Sequence, residues 1–126
     1  MNSFSYIHLL CAQIYVILAI VVLLRDRKSL INQLCSLIFI CFFIWSFSWT
    51  FIQNLQVSKE TAVLFENIGS FGWLLFSPFF VWFSVLYAKK QPSRFFLLYL
   101  SMLFIFPVVL IVIVGPSVIQ LFAALN

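Results

Sequence analysis

The sequence predicts an all-α integral membrane protein, with four transmembrane helices joined by short turns. Hydrophobic residues make up 65% of its 126 residues and charged residues only 8%, and the mean hydropathy is +1.19. A soluble domain carries about 25% charged residues, which it needs in order to face water. The few charges here fall mostly between long apolar runs, so the surface of the folded chain must face lipid.

Each apolar run is long enough to cross a bilayer, which takes about 20 residues of helix. Open strands would leave unpaired backbone groups in hydrocarbon, and the alternating polarity of a closed barrel is missing, so every span is predicted to be helical. The spans use up most of the chain, and we treat residues 1–126 as a single transmembrane domain. The predicted spans are about residues 6–24, 34–52, 61–88 and 95–114.

The ends of the predicted helices carry their own signals. The first span has no basic segment before it and no small-residue cleavage site after it, so we expect a retained helix and not a signal peptide. Ser58 is predicted to cap the third helix, and Glu60 in its first turn suits the helix dipole. Pro92 lies in the turn before the fourth helix, which is expected to restart at Arg94.

Basic residues set the predicted orientation. The first and third turns hold six of the seven basic residues: Arg25, Arg27, Lys28, Lys89, Lys90 and Arg94. The second turn has Lys59 alone. Because basic turns stay in the cytoplasm, turns one and three are predicted to lie inside, with the N-terminus and the C-terminus both outside.

The composition also limits the chemistry. Cys11, Cys35 and Cys41 lie inside apolar runs at spacings that match no metal motif, so they are expected to pack as small apolar residues. The sequence shows no nucleophile–base pair and no phosphate-binding loop, so we expect no enzyme activity, cofactor or metal.

The expected partners are the lipid bilayer and other transmembrane helices, of a second copy or of another protein. The basic residues are topology signals, and no nucleic-acid partner is expected.

The third helix carries the candidate site. At about 100° per residue, one stripe of small or polar residues falls within about 60° of arc. The stripe comprises Glu66, Ser70, Trp73, Ser77 and Ser84, flanked by Gly69 and Gly72. It can be a helix-packing seam, because small residues let helices approach and serines bond across them. It can also be a ligand cavity that opens outward with Glu66 at its mouth, because carboxylates in membrane segments are often functional.

Two polar residues of the first helix stand out. His8 shares a face with Ala12 and Ala19 and is expected to pack near the outer end of the helix, since a lone histidine is a poor metal site. Gln13 lies in mid-span and needs a partner, because an unpaired amide in hydrocarbon is unfavourable. Trp49, near the end of the second span, fits the outer aromatic belt.

Several segments follow one another in a recognisable order. A basic turn at residues 25–29, followed by Asn32, precedes a span with a central tryptophan in residues 44–47. A long third helix then runs through residues 62–69 to an aromatic-rich end at residues 78–83 and Tyr87. In this order, about residues 6–114 resemble the first four helices of the N-terminal seven-helix membrane region of bacterial sensor histidine kinases.

The resemblance implies a sensory input region of a two-component system, as a multi-pass protein of a bacterial inner membrane. The kinase module of such proteins is not on this chain, so kinase activity is not carried over. We expect the chain to be the front portion of a larger protein. One alternative is an accessory or structural subunit of a larger membrane complex. Another is a small multidrug-type transporter, which is less favoured because a carboxylate near mid-bilayer is missing.

Overall fold

The computed structural model of the protein describes residues 3–54, 57–88 and 94–105, together with Val109. Three long helices follow one another: α1 (Ser3–Arg25), α2 (Leu30–Ile52) and α3 (Lys59–Tyr87). A shorter apolar helix, α4, covers Arg94–Ile105. By length and composition α1, α2 and α3 can each cross a membrane, which confirms the all-helical architecture and the first three predicted spans.

The fourth predicted span is described only in part. Helix α4 begins at Arg94, as predicted, and packs on α3 through the rings of Phe79 and Phe104, whose centroids are 5.1 Å apart. Its described part is shorter than the about 20 residues that a crossing requires. The rest of the predicted span, and the predicted turn with Lys89 and Lys90, lie outside the described residues.

Helix α2 begins before residue 34, where hydropathy placed its start. Ser29 is its N-cap, and the side-chain oxygen accepts a hydrogen bond of 3.5 Å from the backbone N–H of Asn32. The amide of Asn32 donates to the Asp26 carbonyl, and the amide of Gln33 donates to the Arg27 carbonyl at 2.8 Å. These polar residues are therefore the first turn of the helix and bind the preceding turn.

Helix α3 begins as predicted. The Ser58 side chain accepts a hydrogen bond of 3.3 Å from the Thr61 backbone N–H, and Glu60 lies in the first turn. The Ser58 cap is confirmed.

Helix α2 is the central helix of the described fold. It packs against both α1 and α3, whereas those two helices do not pack against each other in the described part of the chain. Its buried residues accordingly lie on two sides: Leu34, Ser36, Ile38, Cys41, Ser46, Ser48 and Thr50.

The seam between α1 and α2 combines small residues with hydrogen bonds. The buried residues of α1 recur at every seventh position: Ser5, Ala12 and Ala19. The Ser36 hydroxyl of α2 donates to the Ala19 carbonyl at 2.9 Å, and the Ser46 hydroxyl donates to the His8 carbonyl at 2.9 Å. The face of α1 predicted to hold His8, Ala12 and Ala19 is therefore the face that meets α2.

The seam between α2 and α3 depends on the close approach of two backbones. A Cβ atom added at Gly72 would lie 2.6 Å from the Cys41 carbonyl oxygen, and one added at Gly69 would lie 3.0 Å from the Ser48 Cβ. Both glycines are buried. Small residues of this kind let membrane helices gain van der Waals contact.

Gly72→Ala should weaken the packing of α2 on α3, because the new methyl group overlaps a backbone carbonyl that cannot rotate away. Overpacking costs about 1–3 kcal/mol, which exceeds the about 1 kcal/mol that alanine gains over glycine in a helix. Gly69→Ala meets a serine side chain and should have a smaller effect. The measurement is the thermal unfolding midpoint in detergent.

The control for this series is Ser84→Ala, since Ser84 is exposed on the same helix. It should unfold within a degree or so of the unchanged protein, as surface substitutions usually fall within about 0.5 kcal/mol. A Gly72→Ala protein as stable as this control would contradict the close approach.

Candidate functional site

A half-open cavity of about 380 Å³ lies between α2 and α3, near the turn that joins them. Its volume falls in the range of about 300–1,000 Å³ that is typical of small-molecule sites. Helix α2 contributes Trp45, Trp49 and Ile52 to the wall. Helix α3 contributes Glu66, Ser70 and Trp73, with Gly69 and Leu74 beside them.

Two aromatic pairs bracket the cavity along the helix pair. Phe51 and Phe65 stack with ring centroids 4.0 Å apart and planes at 6°, on the side of the turn. Phe42 and Phe76 pack at 4.8 Å further along the two helices. Between these pairs Gly69 contributes to the lining of the cavity, while its missing side chain lets α3 approach Ser48 of α2 closely.

Trp45 is the centre of the aromatic wall. Its ring centroid lies 5.9 Å from that of Trp73 on α3 and 6.2 Å from that of Trp49 on α2. It also lies 6.1 Å from the ring of His8 on α1, which stacks on Trp49 at 5.9 Å and 28°. Aromatic contact therefore runs without a break from α1 through the cavity wall to α3, and His8 packs as predicted.

Glu66 is the charged residue of the cavity wall. It is exposed, and in the described part of the chain no ion pair with a lysine or arginine neutralises it. The Ser70 hydroxyl donates to the Glu66 backbone carbonyl at 2.9 Å, so this serine is already engaged within its own helix. Within the part of the chain that the structure describes, the cavity therefore combines a carboxylate that forms no ion pair with three indole rings.

The predicted stripe lies on the exposed side of α3. All five of its side chains are exposed: Glu66, Ser70, Trp73, Ser77 and Ser84. The structure brings the first three together in the cavity wall and leaves Ser77 and Ser84 outside it. The Ser84 hydroxyl donates to the Phe80 carbonyl of its own helix at 2.8 Å. Within the described chain, α3 meets α2 through the flanking glycines, so the stripe as a seam for another helix stays a prediction.

Sequence reasoning misses the role of the tryptophans of α2 in the cavity. It assigns Trp49 to the outer aromatic belt and Trp45 only to the family resemblance, yet both line the cavity. Their spacing of four residues, which places both on one face of α2, was the available signal. The contact with His8 could not be found in the same way, because it depends on the register between α1 and α2.

Comparison with protein-family models, with curated proteins and with solved structures finds no match for this chain. The resemblance to sensor-kinase input regions therefore stays a prediction. Function has to be argued from the chemistry of the cavity, since a fold class alone does not define one.

Trp45→Leu should destabilise the protein more than Trp82→Leu. Trp45 contacts three aromatic rings, and each such pair contributes about 0.5–1.5 kcal/mol, so the loss should reach about 2 kcal/mol. Trp82 makes no ring contact among the described residues and serves as the matched control. Near-ultraviolet circular dichroism and thermal unfolding in detergent measure the effect. Equal losses in the two variants would rule out Trp45 as the centre of the cluster.

Proposed function

We propose that the chain is a membrane-embedded sensory module, in which occupation of the cavity changes how the helices pack. The observation that supports this most is the position of Trp45. Its ring lines the cavity and contacts His8 on α1 and Trp73 on α3. A ligand that moves Trp45 acts on both seams at once, and such a contiguous packed network is what coupling between distant parts requires.

The proposed setting is the inner membrane of a bacterium, with four spans and both termini outside. The turn between α1 and α2 then lies in the cytoplasm with its exposed Arg25, Arg27 and Lys28. Asp26 has a structural role in this turn, because its carboxylate accepts a hydrogen bond of 3.0 Å from the Lys28 backbone N–H. In this proposed orientation the cavity, which lies toward the other ends of α1 and α2, is near the outer surface of the membrane.

Reporter fusions test the orientation. A fusion after Lys28 should be active with a cytoplasmic reporter, and a fusion after Ser58 with a periplasmic one, because the positive turn stays inside. Replacing Arg25, Arg27 and Lys28 by glutamine should make the orientation mixed. A periplasmic Lys28 in the unchanged protein would overturn the arrangement.

Filling the cavity should change amide hydrogen exchange at the ends of α1 and α2 that lie far from the cavity. Ser70→Trp places an indole in the cavity, and the response is followed by amide hydrogen exchange in nanodiscs. If the module transmits occupancy, protection should change not only beside the cavity but also at residues 25–29, at the opposite ends of α1 and α2. The physical reason is that a displaced Trp45 shifts α1 through its contact with His8.

Ser84→Trp is the matched control, because Ser84 is exposed on the same helix but outside the cavity. It should leave exchange at residues 25–29 unchanged. Exchange differences confined to the cavity wall in the Ser70→Trp protein would contradict a sensory role, since nothing would then reach the cytoplasmic turn.

An accessory subunit is the second candidate, and the exposed polar side chain of Gln13 favours it. Gln13 lies in the middle of α1 and faces away from α2, so in a bilayer its amide calls for a partner from another helix. Ser77 is likewise exposed on α3.

The sequence of the gene and its neighbours distinguishes the sensory module from the accessory subunit. A reading frame that continues past Asn126 into more spans and a kinase domain fits the sensory module, whereas neighbouring genes for a larger membrane complex fit the subunit.

A further inference from the structure

We propose that the cavity between α2 and α3 binds a quaternary ammonium group, such as the trimethylammonium group of choline. The inference deepens the proposed function and rests on it, since it names the class of ligand that the same cavity would sense. It is carried by three indole rings and one carboxylate in a single cavity wall, the carboxylate having no ion pair with any described residue.

The rings supply the first part of the recognition. Trp45, Trp49 and Trp73 line one cavity, and the centroid of Trp45 lies 6.2 Å from that of Trp49 and 5.9 Å from that of Trp73. Tryptophan has the most favourable face for a cation, which is attracted within about 6 Å of the ring centroid. Aromatic cages of this composition recognise methylated ammonium groups, because the methyl groups contact the rings while the charge meets their negative faces.

The carboxylate supplies the second part. Glu66 is the charged residue among those that line the cavity, and no described lysine or arginine pairs with it. A cation in contact with this aromatic wall therefore finds a counter-charge among the residues that line the same cavity. An anion would meet repulsion from Glu66 and from the faces of the rings.

The shortage of hydrogen-bond acceptors decides between kinds of cation. A primary ammonium group or a metal ion loses strong hydration on entering and needs several oxygen ligands in return. Apart from the Glu66 carboxylate, the side-chain oxygen in the wall is the Ser70 hydroxyl, which donates to a backbone carbonyl and can still accept one hydrogen bond or more, so the wall offers fewer oxygen ligands than such cations need. In the described part of the chain no group of three or more His, Cys, Asp or Glu side chains could hold a metal ion. A quaternary ammonium has no N–H group to satisfy, so it suits this wall.

Two sources can supply the same group. At a rise of about 1.5 Å per residue, Glu66 lies about 11 Å and Trp73 about 21 Å along α3 from its first residue. The cavity therefore extends from near the headgroup region of a bilayer toward the hydrocarbon core. The group can therefore come from a free cation in solution or from the headgroup of a phosphatidylcholine lipid.

Tryptophan fluorescence tests the proposal. Three of the four tryptophans line the cavity, so the emission of the chain reports mainly on this site. The protein is placed in nanodiscs of phosphatidylglycerol and titrated with choline at constant ionic strength. A parallel titration uses 3,3-dimethylbutan-1-ol, in which a carbon atom replaces the quaternary nitrogen. Choline should give a saturable change, and the neutral isostere should bind at least about tenfold more weakly.

Variants assign the change to the cavity. Glu66→Gln should weaken choline binding about tenfold, and Trp73→Leu about fivefold or more. The matched controls are Glu60→Gln, which removes the same charge from the first turn of α3, and Trp82→Phe. Both controls should bind as the unchanged protein does. Glu66→Gln binding that equals Glu60→Gln binding would overturn the role of Glu66.

The two titrations of the unchanged protein test the proposal even if a variant fails to fold. Equal responses to choline and to its neutral isostere would overturn the proposal, because the cavity would then be an apolar cleft without preference for charge. So would the absence of a saturable response to choline.

Nanodiscs that contain phosphatidylcholine separate the two sources. If the lipid headgroup occupies the site, the emission of the unchanged protein should already be shifted, and added choline should bind more weakly than in phosphatidylglycerol. If free cations are the ligand, phosphatidylcholine should leave the choline titration as it was. A chain that binds choline but whose exchange at residues 25–29 does not respond to it would contradict the sensory role and leave the cation site in place.

Discussion

The close approach of α2 and α3 at Gly72 is the contact on which the rest of the structure depends. Only a residue without a side chain fits there, since a Cβ atom would lie 2.6 Å from the Cys41 carbonyl oxygen. In lipid no apolar burial drives helices together, so van der Waals contact along such seams has to hold them. Fixing the backbones at this point also fixes their register. It sets Trp45 opposite Trp73, and the space beside these rings is the cavity.

The other seam uses different chemistry, and the difference bears on function. The contacts of α1 with α2 include hydrogen bonds from Ser36 and Ser46 to backbone carbonyls and aromatic contacts through His8 and Tyr15. Hydrogen bonds between membrane helices contribute only about 0.6 kcal/mol each on average. Contact at the glycines leaves α3 little room to shift on α2, whereas rings and hydroxyls can adjust. A change in the position of Trp45 should therefore be taken up by α1, which leads to the basic turn.

Sequence periodicity and hydropathy predicted the three long helices, and the capping rule predicted the role of Ser58. Hydropathy placed the second span from about residue 34, whereas helix α2 begins at Leu30, because its first turn holds the polar residues Asn32 and Gln33, whose amides bind the preceding turn. For the site, the angle between successive residues was enough to group Glu66 with its two cavity neighbours on α3. The position of Trp45 in the cavity wall could not be predicted in this way, because it depends on the register between α2 and α3. That register is determined by the packing of Gly72 against the backbone of α2.

The unpaired state of Glu66 is hard to explain by packing alone. A carboxylate in a membrane segment lowers the stability of the membrane-inserted state unless a partner or water compensates it. The contacts of α3 with α2 do not use this carboxylate, and no described basic side chain pairs with it. Residues that break a local rule without structural compensation tend to mark functional sites. Three indoles line the same cavity as the carboxylate and offer a second attraction to the same kind of ligand. The charge and the rings together therefore favour a cation that is itself partly apolar.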